Sequence, residues 1–188
     1  MADRWRSWPA GRIFPSSLEY STSLLTTEAA TRVGIAPQSS CMTALDPALA
    51  RLAAHDHCQA ALRATYLDQL QGVLYTIGVL AFPSAGNAGT FAAGLPAGAT
   101  TAFPLRALAL PGTASSEFSA AARQAGTARH DGPFVVLTVS GYADGEPAGA
   151  GEQARPSVFA PAGQLAGDVV GPLTRPATVN CANPAWSC

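Results

Sequence analysis

The sequence contains no lysine, and charged residues of either sign make up only 12% of its 188 positions. All eleven basic residues are arginines scattered along the chain, and the formal net charge is −1. A chain with so little charge has no field of one sign that could attract a polyanion, which argues against nucleic acid as a partner. Arginine in place of lysine, together with abundant Ala, Gly and Pro, is typical of a GC-rich genome.

Long hydrophobic runs are also missing. No stretch reaches the roughly 20 apolar residues that span a bilayer, and the polar residues 1–12 lack the apolar centre of a signal peptide. The cysteines nevertheless indicate export, since disulfides need an oxidising compartment. We therefore expect a signal or membrane-spanning segment upstream of Met1. Trp5 and Trp8, set among arginines, suit either a membrane interface or an N-terminal arm whose indoles pack on the domain.

Four cysteines occur, at Cys41, Cys58, Cys181 and Cys188. They allow three pairings, and sequence proximity predicts disulfides Cys41–Cys58 and Cys181–Cys188. The first closes a loop whose constraint contributes about 3 kcal/mol in the chain-entropy model, whereas the second ties off the tail. The absence of a CxxC pair gives no support to a redox or zinc-ribbon motif.

Sequence motifs for catalysis or cofactor binding are absent as well, including GxSxG and GxGxxG. His55 and His57 would diverge by about 200° on a helix, so we predict a solvated helix end and no metal site. His130, in a turn beside Asp131, is the one isolated general-base candidate. Gly86–Gly89 follows a strand and opens a helix, but it lacks a phosphate-loop fingerprint. No catalytic, cofactor-binding or metal-binding residue is predicted, and the sequence favours a non-enzyme.

Two runs rich in β-branched and aromatic residues predict the central strands, Gly72–Phe82 and Pro133–Tyr142. Each follows a weaker candidate strand, Ala61–Leu67 and Gln124–Arg129, across a short turn, so two hairpins are expected. The predicted core centres on Leu74, Ile77, Val79, Phe82, Phe134, Val136 and Leu137. Because side chains alternate along a strand, runs this continuous imply that both faces of the central strands are covered.

Capping residues and apolar spacing predict helices between these strands. The expected helices are Thr26–Val33, a helix from Asp46 to His55–Cys58, Ser84–Leu95, a short helix or helical turn at Ser115–Arg123, and Phe159–Val170. Leu105–Leu110, between two prolines, is expected as a further strand, and Asp144–Pro156 as a mobile loop.

This order of elements predicts an α+β fold, in which an antiparallel sheet carries helices mainly on one face and is stabilised by disulfides. Residues 1–25 are expected to form an extended, juxtamembrane N-terminal arm. Residues 26–173 form the single domain, and residues 174–188 form an irregular tail.

Four stretches carry a resemblance to known proteins: RWRSWPAGRIFP at Arg4–Pro15, GIAPQSSC at Gly34–Cys41, CQAALRATYLD at Cys58–Asp68 and TIGVLAFP at Thr76–Pro83. With them the chain resembles a family of secreted or single-span membrane-anchored actinobacterial proteins of unknown activity. The resemblance implies an extracytoplasmic location, on the outer face of the cytoplasmic membrane when anchored. It supplies no catalytic residues.

The expected function is a non-catalytic binding or sensor-like module of the cell envelope that needs no cofactor. Its partner would be an envelope protein or a small ligand, and it would meet the membrane only through the upstream segment. Two alternatives stay open: a secreted hydrolase with a non-standard site, and a structural component of an envelope assembly. A deep pocket with converging polar groups would favour a ligand or substrate, whereas a flat apolar patch would favour assembly.

Overall fold

The structure is a computed structural model that describes residues 2–95, 104–147 and 156–176. Its strands are β1 (Ser17–Ser21), β2 (Thr27–Ile35), β3 (Ala60–Leu67), β4 (Val73–Ala81), β5 (Ala125–Asp131) and β6 (Phe134–Tyr142). Its helices are α1 (Arg4–Ser7), α2 (Ala10–Ile13), α3 (Cys41–Ala44), α4 (Pro47–His55), α5 (Ala85–Ala93), α6 (Pro156–Phe159) and α7 (Pro161–Thr174).

All six strands form one antiparallel sheet in the order β1-β2-β3-β4-β6-β5. The two predicted hairpins, β3–β4 and β5–β6, are present. The two central strands pair along their whole length, from Val73 opposite Tyr142 to Ala81 opposite Phe134. The predicted α+β class with an antiparallel sheet is confirmed.

Both faces of the central strands are covered. Tyr75, Ile77 and Val79 belong to a buried cluster with α7, whereas Leu74 and Leu80 belong to a second cluster with α3, α4 and α5. All seven predicted core residues are completely buried. The helices are therefore divided between the two faces, because β4 and β6 present apolar side chains on both sides and each side needs a cover.

The sheet curls around α7, and this helix contacts both edge strands. The Gln164 side chain donates to the Ser21 carbonyl on β1 at 3.0 Å and accepts from the Ser21 amide at 2.9 Å. At the opposite edge, the Arg129 guanidinium on β5 donates to the Gly163 carbonyl at 3.2 Å. The Gln164 side chain thus pairs backbone groups of edge strand β1 that would otherwise face solvent.

The N-terminal residues are folded onto the domain instead of forming an extended arm. Residues 4–21 contain α1, α2 and β1. Trp5 is buried in the α7 cluster, and Trp8 packs against the same cluster. Arg4 lies over the Trp8 ring at 5.2 Å, and its guanidinium donates to the Pro172 and Leu173 carbonyls at 3.0 and 2.9 Å. A cation at the last carbonyls of a helix is favourable, so Arg4 fastens the chain start to the end of α7.

Two local predictions are corrected by the structure. Thr26–Val33, predicted as a helix, is wrong: Thr27–Ile35 is strand β2, since pairing with both β1 and β3 outweighs a weak helical pattern. Leu105–Leu110 forms only one isolated bridge, between Leu45 and Leu105. Ser115–Arg123, predicted as a short helix or a helical turn, contains hydrogen-bonded turns, which agrees with the second alternative.

The predicted mobile loop and tail fall largely on residues 148–155 and 177–188, which lie outside the described residues. The last described helix runs to Thr174, one residue into the predicted tail. In the part of the chain that the structure describes, no helix combines the length and the apolar character needed to cross a membrane.

Candidate functional site

A cavity of about 350 Å³ opens at the end of the sheet where two turns meet the end of β6. The turn between β1 and β2, the turn between β3 and β4, and the end of β6 form its rim together with residues 157–161. Three aromatic rings bound it, Tyr20, Tyr75 and Tyr142, and we refer to it as the tyrosine cavity. Its volume lies at the lower end of the range of about 300–1,000 Å³ that is typical of small-ligand sites.

The three tyrosines come from three different strands. Tyr20 points inward from edge strand β1, and Tyr75 lies on central strand β4; both are buried. The Tyr75 hydroxyl donates to the Val158 carbonyl at 3.4 Å. Tyr142, at the end of β6, packs against Phe159 with ring centroids 5.4 Å apart. All three tyrosines line the cavity.

Two carboxylates also line the tyrosine cavity. Glu28 stands opposite Tyr20 in the β1–β2 pairing, and the Tyr20 hydroxyl donates to Glu28 Oε2 at 2.8 Å. Asp68 Oδ1 accepts the backbone amides of Gly72 and Val73 at 2.7 and 2.8 Å. Asp68 therefore bonds to the backbone and closes the β3–β4 turn, whereas the carboxylate of Glu28 bonds to the Tyr20 side chain at the cavity.

The electrostatic environment of the tyrosine cavity is negative. Burial raises the pKa of Tyr20, and the hydrogen bond to Glu28 and the negative charges of Glu28 and Asp68 raise it further. Burial likewise raises the pKa of Tyr75, with smaller contributions from Tyr20, Asp68 and Glu28. Both phenols thus stay protonated at neutral pH. Among the described residues that line the cavity, the charged side chains are Glu28 and Asp68, and none is basic.

This combination of groups is suited to binding. Apolar and aromatic walls bury a ligand body, while a few carboxylates and hydroxyls fix its orientation. Ser157 and Ser23 also line the tyrosine cavity, but His130 does not. A serine nucleophile needs a base within hydrogen-bond reach, and the described lining residues place no histidine beside either serine.

The cysteines lie away from this cavity. Cys41, at the start of α3, is bonded to Cys58, just before β3, with a Cα–Cα distance of 6.3 Å. This confirms the predicted Cys41–Cys58 disulfide, which fastens the α3–α4 unit to the sheet on the face opposite α7. Cys181 and Cys188, predicted to form the second disulfide, lie outside the described residues.

The histidines lie at two places in the described chain, the end of α4 and the end of β5. His55 Nδ1 lies 3.0 Å from Asp56 Oδ1 at the exposed end of α4, and His57 follows in a left-handed conformation with φ of 62°. His130 is exposed near the end of β5, and its Nε2 lies 3.0 Å from the Gly132 carbonyl. The turn predicted at residues 130–132 is therefore corrected: His130 and Asp131 belong to the strand, and only Gly132 and Pro133 separate β5 from β6. Within residues 2–95, 104–147 and 156–176, no group of three or more His, Cys, Asp or Glu side chains is arranged to hold a metal ion.

The glycine-rich stretch Gly86–Gly89 lies in the first turns of α5. The Ser84 hydroxyl accepts from the Asn87 amide at 3.1 Å, so a side chain of the protein already caps this helix start, as predicted. Neither this stretch nor the histidines line the tyrosine cavity.

Sequence reasoning missed the residues of the tyrosine cavity. Glu28 was concealed by the predicted helix at Thr26–Val33, and Tyr75 lies within a run that reads simply as core. A usable signal was present, however: Tyr20, Asp68 and Tyr142 all stand at strand ends. In an antiparallel sheet, alternate strands run in the same direction and finish at the same end of the sheet. Correct assignment of β1 and β2 would therefore have placed these three side chains together.

Comparisons of the chain with protein-family models, with curated proteins and with solved structures each give no match. No activity is therefore transferred from a relative, and the function rests on the cavity and its chemistry.

Proposed function

We propose that this chain is a non-catalytic, extracytoplasmic binding module of the cell envelope, and that it binds a small ligand in the tyrosine cavity. The observation that carries the proposal is the convergence of Tyr20, Tyr75, Tyr142 and Glu28 on one cavity. Aromatic walls with a few polar groups are the usual composition of a ligand site.

The positions of the potential catalytic groups support binding over hydrolysis. His130, the best isolated general base, lies on β5 beside the Gly132 carbonyl and is absent from the cavity lining. A general base must reach the proton that it abstracts, either directly or through one water. The hydroxyls of Tyr20 and Tyr75 are kept protonated by burial, which suits hydrogen-bond donation rather than nucleophilic attack.

The disulfide supports the location. Cys41–Cys58 is compatible with an oxidising compartment, which for a bacterial chain lies outside the cytoplasmic membrane. Together with the resemblance to anchored actinobacterial proteins, this favours a module that faces the outside of the cell and captures molecules there.

A fragment screen by ¹H–¹⁵N correlation spectroscopy on the oxidised chain tests the proposal. Fragments that bind should shift the amide signals of Tyr75 and Tyr142. The exposed Ala160, which lines the mouth of the cavity, offers a blocking variant, Ala160→Trp. Ala54→Trp, at an exposed position of α4 on the opposite face, is the matched control. Binding should be lost in the first variant and kept in the second.

Two results would overturn the proposal. One is a screen in which no fragment binds, or in which every fragment that binds the parent chain also binds the Ala160→Trp variant. The other is turnover of an ester, peptide, glycoside or phosphate substrate that disappears in a folded His130→Ala variant, because this would establish the hydrolase alternative.

A further inference from the structure

We infer that the tyrosine cavity selects an organic cation, an ammonium or guanidinium group carried on an apolar body. This inference rests on the proposed function and specifies its ligand class. It is drawn from three features: the charge of the cavity, its tyrosines, and the exposed leucines in and beside its lining.

The charge of the lining has one sign. Glu28 and Asp68 are both half-buried at the cavity, and the salt bridges among the described residues involve Asp3, Asp46 and Asp56 instead. A carboxylate that is partly removed from water is stabilised by a cation with N–H donors. Glu28 is the principal counter-ion, because its carboxylate accepts one hydrogen bond, from the Tyr20 hydroxyl, whereas Asp68 Oδ1 accepts two from the backbone of its turn.

The same charges act against other ligand classes. An anion would meet two carboxylates at close range, a like-charge contact that costs binding free energy. A neutral ligand would displace water from Glu28 without offering a charge in return, which leaves a partly buried carboxylate poorly compensated. A cation is therefore the class for which the lining is complementary.

The walls of the cavity also favour a cation. The faces of aromatic rings attract ammonium and guanidinium groups, and several tyrosines around one site are a recurrent means of binding them. Tyr20 and Tyr75 are buried and held by hydrogen bonds to Glu28 and to the Val158 carbonyl, and Tyr142 is packed against Phe159. These rings are positioned before a ligand arrives, which lowers the entropic cost of binding.

The rim of the cavity suits the apolar part of such a ligand. Leu70, in the β3–β4 turn, lines the cavity and is 79% exposed. Leu24 and Leu25, in the neighbouring β1–β2 turn, are 83% and 91% exposed. These are among the most exposed large apolar side chains of the described chain, and they lie at the same end of the sheet. An alkyl or aryl body attached to the cation would cover part of this apolar surface.

Titration calorimetry with three probes of equal chain length tests the charge selectivity: hexylamine, hexanol and hexanoate. On the oxidised full chain, hexylamine should bind at least about tenfold more tightly than the other two, as expected for a hydrogen bond between charged groups. Its affinity should fall as salt is added. A second arm uses N-acetyl-lysine-methylamide, which presents the ammonium of a protein side chain. The tighter of the two amines identifies the source as a free amine or a basic side chain of a partner.

The variant Glu28→Gln removes the charge but keeps an oxygen that can accept from the Tyr20 hydroxyl, so the fold is retained. It should lower the affinity for hexylamine by about tenfold. Glu19→Gln removes an equal charge from an exposed position on β1 outside the cavity lining, and it should have little effect. Thermal unfolding of both variants confirms that each is folded.

The outcomes separate the ligand class from the proposed function. If hexanol or hexanoate binds as tightly as hexylamine, and Ala160→Trp abolishes that binding, the cavity is a ligand site but the cation selectivity is wrong. If hexylamine does not bind, or binds equally to the Glu28→Gln variant, the inference is also overturned. If the fragment screen finds no cavity ligand of any charge, the proposed function itself fails.

Discussion

The hydroxyl groups of Thr65 and Thr76 lie 3.0 Å apart on the two adjacent strands β3 and β4, and both residues are completely buried. The Thr65 hydroxyl donates to the Leu108 carbonyl at 2.8 Å, and the Leu108 amide donates to Thr76 Oγ1 at 3.0 Å. Two side chains thus satisfy the backbone of a segment that crosses the face of the sheet. That segment needs no strand partner of its own, because the sheet supplies hydroxyls in place of a neighbouring strand.

Replacing Thr76 by Val keeps the shape of the side chain but removes the hydroxyl. We expect the free energy of unfolding to fall by about 1–3 kcal/mol, because the Leu108 amide and the Thr65 hydroxyl lose a buried partner. Urea denaturation followed by circular dichroism measures the change. Thr27→Val, at an exposed position of β2, is the matched control and should leave the midpoint close to that of the parent chain. Equal midpoints for the two variants would show that the Thr65–Thr76 pair does not fix the crossing segment.

The crossing segment illustrates what the sequence could predict and what it could not. Leu105–Leu110 was predicted as a strand because it is apolar and bounded by prolines. Whether such a run pairs with a strand depends on what the rest of the chain offers it, here Thr65 and Thr76 from more than thirty residues away. The local sequence pattern of Leu105–Leu110 carries no information about such a distant partner. It therefore could not predict that this segment bonds to threonine hydroxyls and not to a neighbouring strand.

Some strands could likewise be predicted from their own residues, whereas others depend on distant partners. β4 and β6 were predicted because continuous β-branched and aromatic residues favour a buried strand over any competing structure. β2 was missed because Thr27–Ile35 contains Glu and two Ala, and its extended form depends on pairing with β1 and β3. The tyrosine cavity was missed for the same reason, since Tyr20 and Glu28 come together only when β1 and β2 are paired as strands.

The Cys41–Cys58 disulfide should contribute to stability. Replacing both residues by Ala is expected to lower the free energy of unfolding by about 3 kcal/mol, because an unfolded chain without the crosslink has more conformations. The measurement is urea denaturation without reductant. Cys181→Ala with Cys188→Ala is the comparison pair, and it should cost less because that crosslink would close only a short loop at the chain end.

Peptide mapping of the unreduced parent chain decides the pairing of all four cysteines. We expect the fragments carrying Cys41 and Cys58 to be linked, and those carrying Cys181 and Cys188 to be linked separately. Free thiols at Cys181 and Cys188, or a link between Cys41 and Cys181, would contradict the predicted framework.

Gly141, on β6, is a position where no side chain fits. A Cβ there would lie 2.0 Å from the Ala122 carbonyl oxygen and 2.8 Å from a ring carbon of Phe118. Because the nearest atom belongs to the backbone, relief requires the turn at residues 118–122 to move. Gly141→Ala should therefore lower the free energy of unfolding by about 1–3 kcal/mol.

Gly163, in α7, provides the matched control for Gly141, since a Cβ there has no neighbour within 4 Å. Gly163→Ala should raise the free energy of unfolding by about 0.4–1 kcal/mol, because alanine restricts the unfolded chain and favours the helix. Thermal unfolding of the two variants side by side should move the midpoints in opposite directions. A loss of stability in Gly163→Ala as large as that in Gly141→Ala would contradict the packing at both sites.

Stability should decline in alkaline solution through the buried tyrosines. Burial raises the pKa of Tyr20, Tyr66 and Tyr75 in the folded chain above the ordinary value of 10.0. Below that value all three phenols are protonated in both states and have no effect on the pH dependence. As the pH rises through about 10, the unfolded chain releases these protons and the folded chain retains them, so the free energy of unfolding falls.

Urea midpoints measured between pH 8 and pH 11 at constant ionic strength test this expectation, and the absence of lysine removes the side chain that would otherwise titrate in the same range. Tyr75→Phe removes one phenol whose hydrogen bond to the Val158 carbonyl is long, at 3.4 Å, so the variant should be stable at pH 8. It should also lose stability less steeply than the parent chain above pH 10, because one fewer proton is released on unfolding. An unchanged midpoint of the parent chain up to pH 11, or the same slope in Tyr75→Phe, would mean that Tyr75 is not buried as the structure places it, and the wall of the tyrosine cavity would have to be reconsidered.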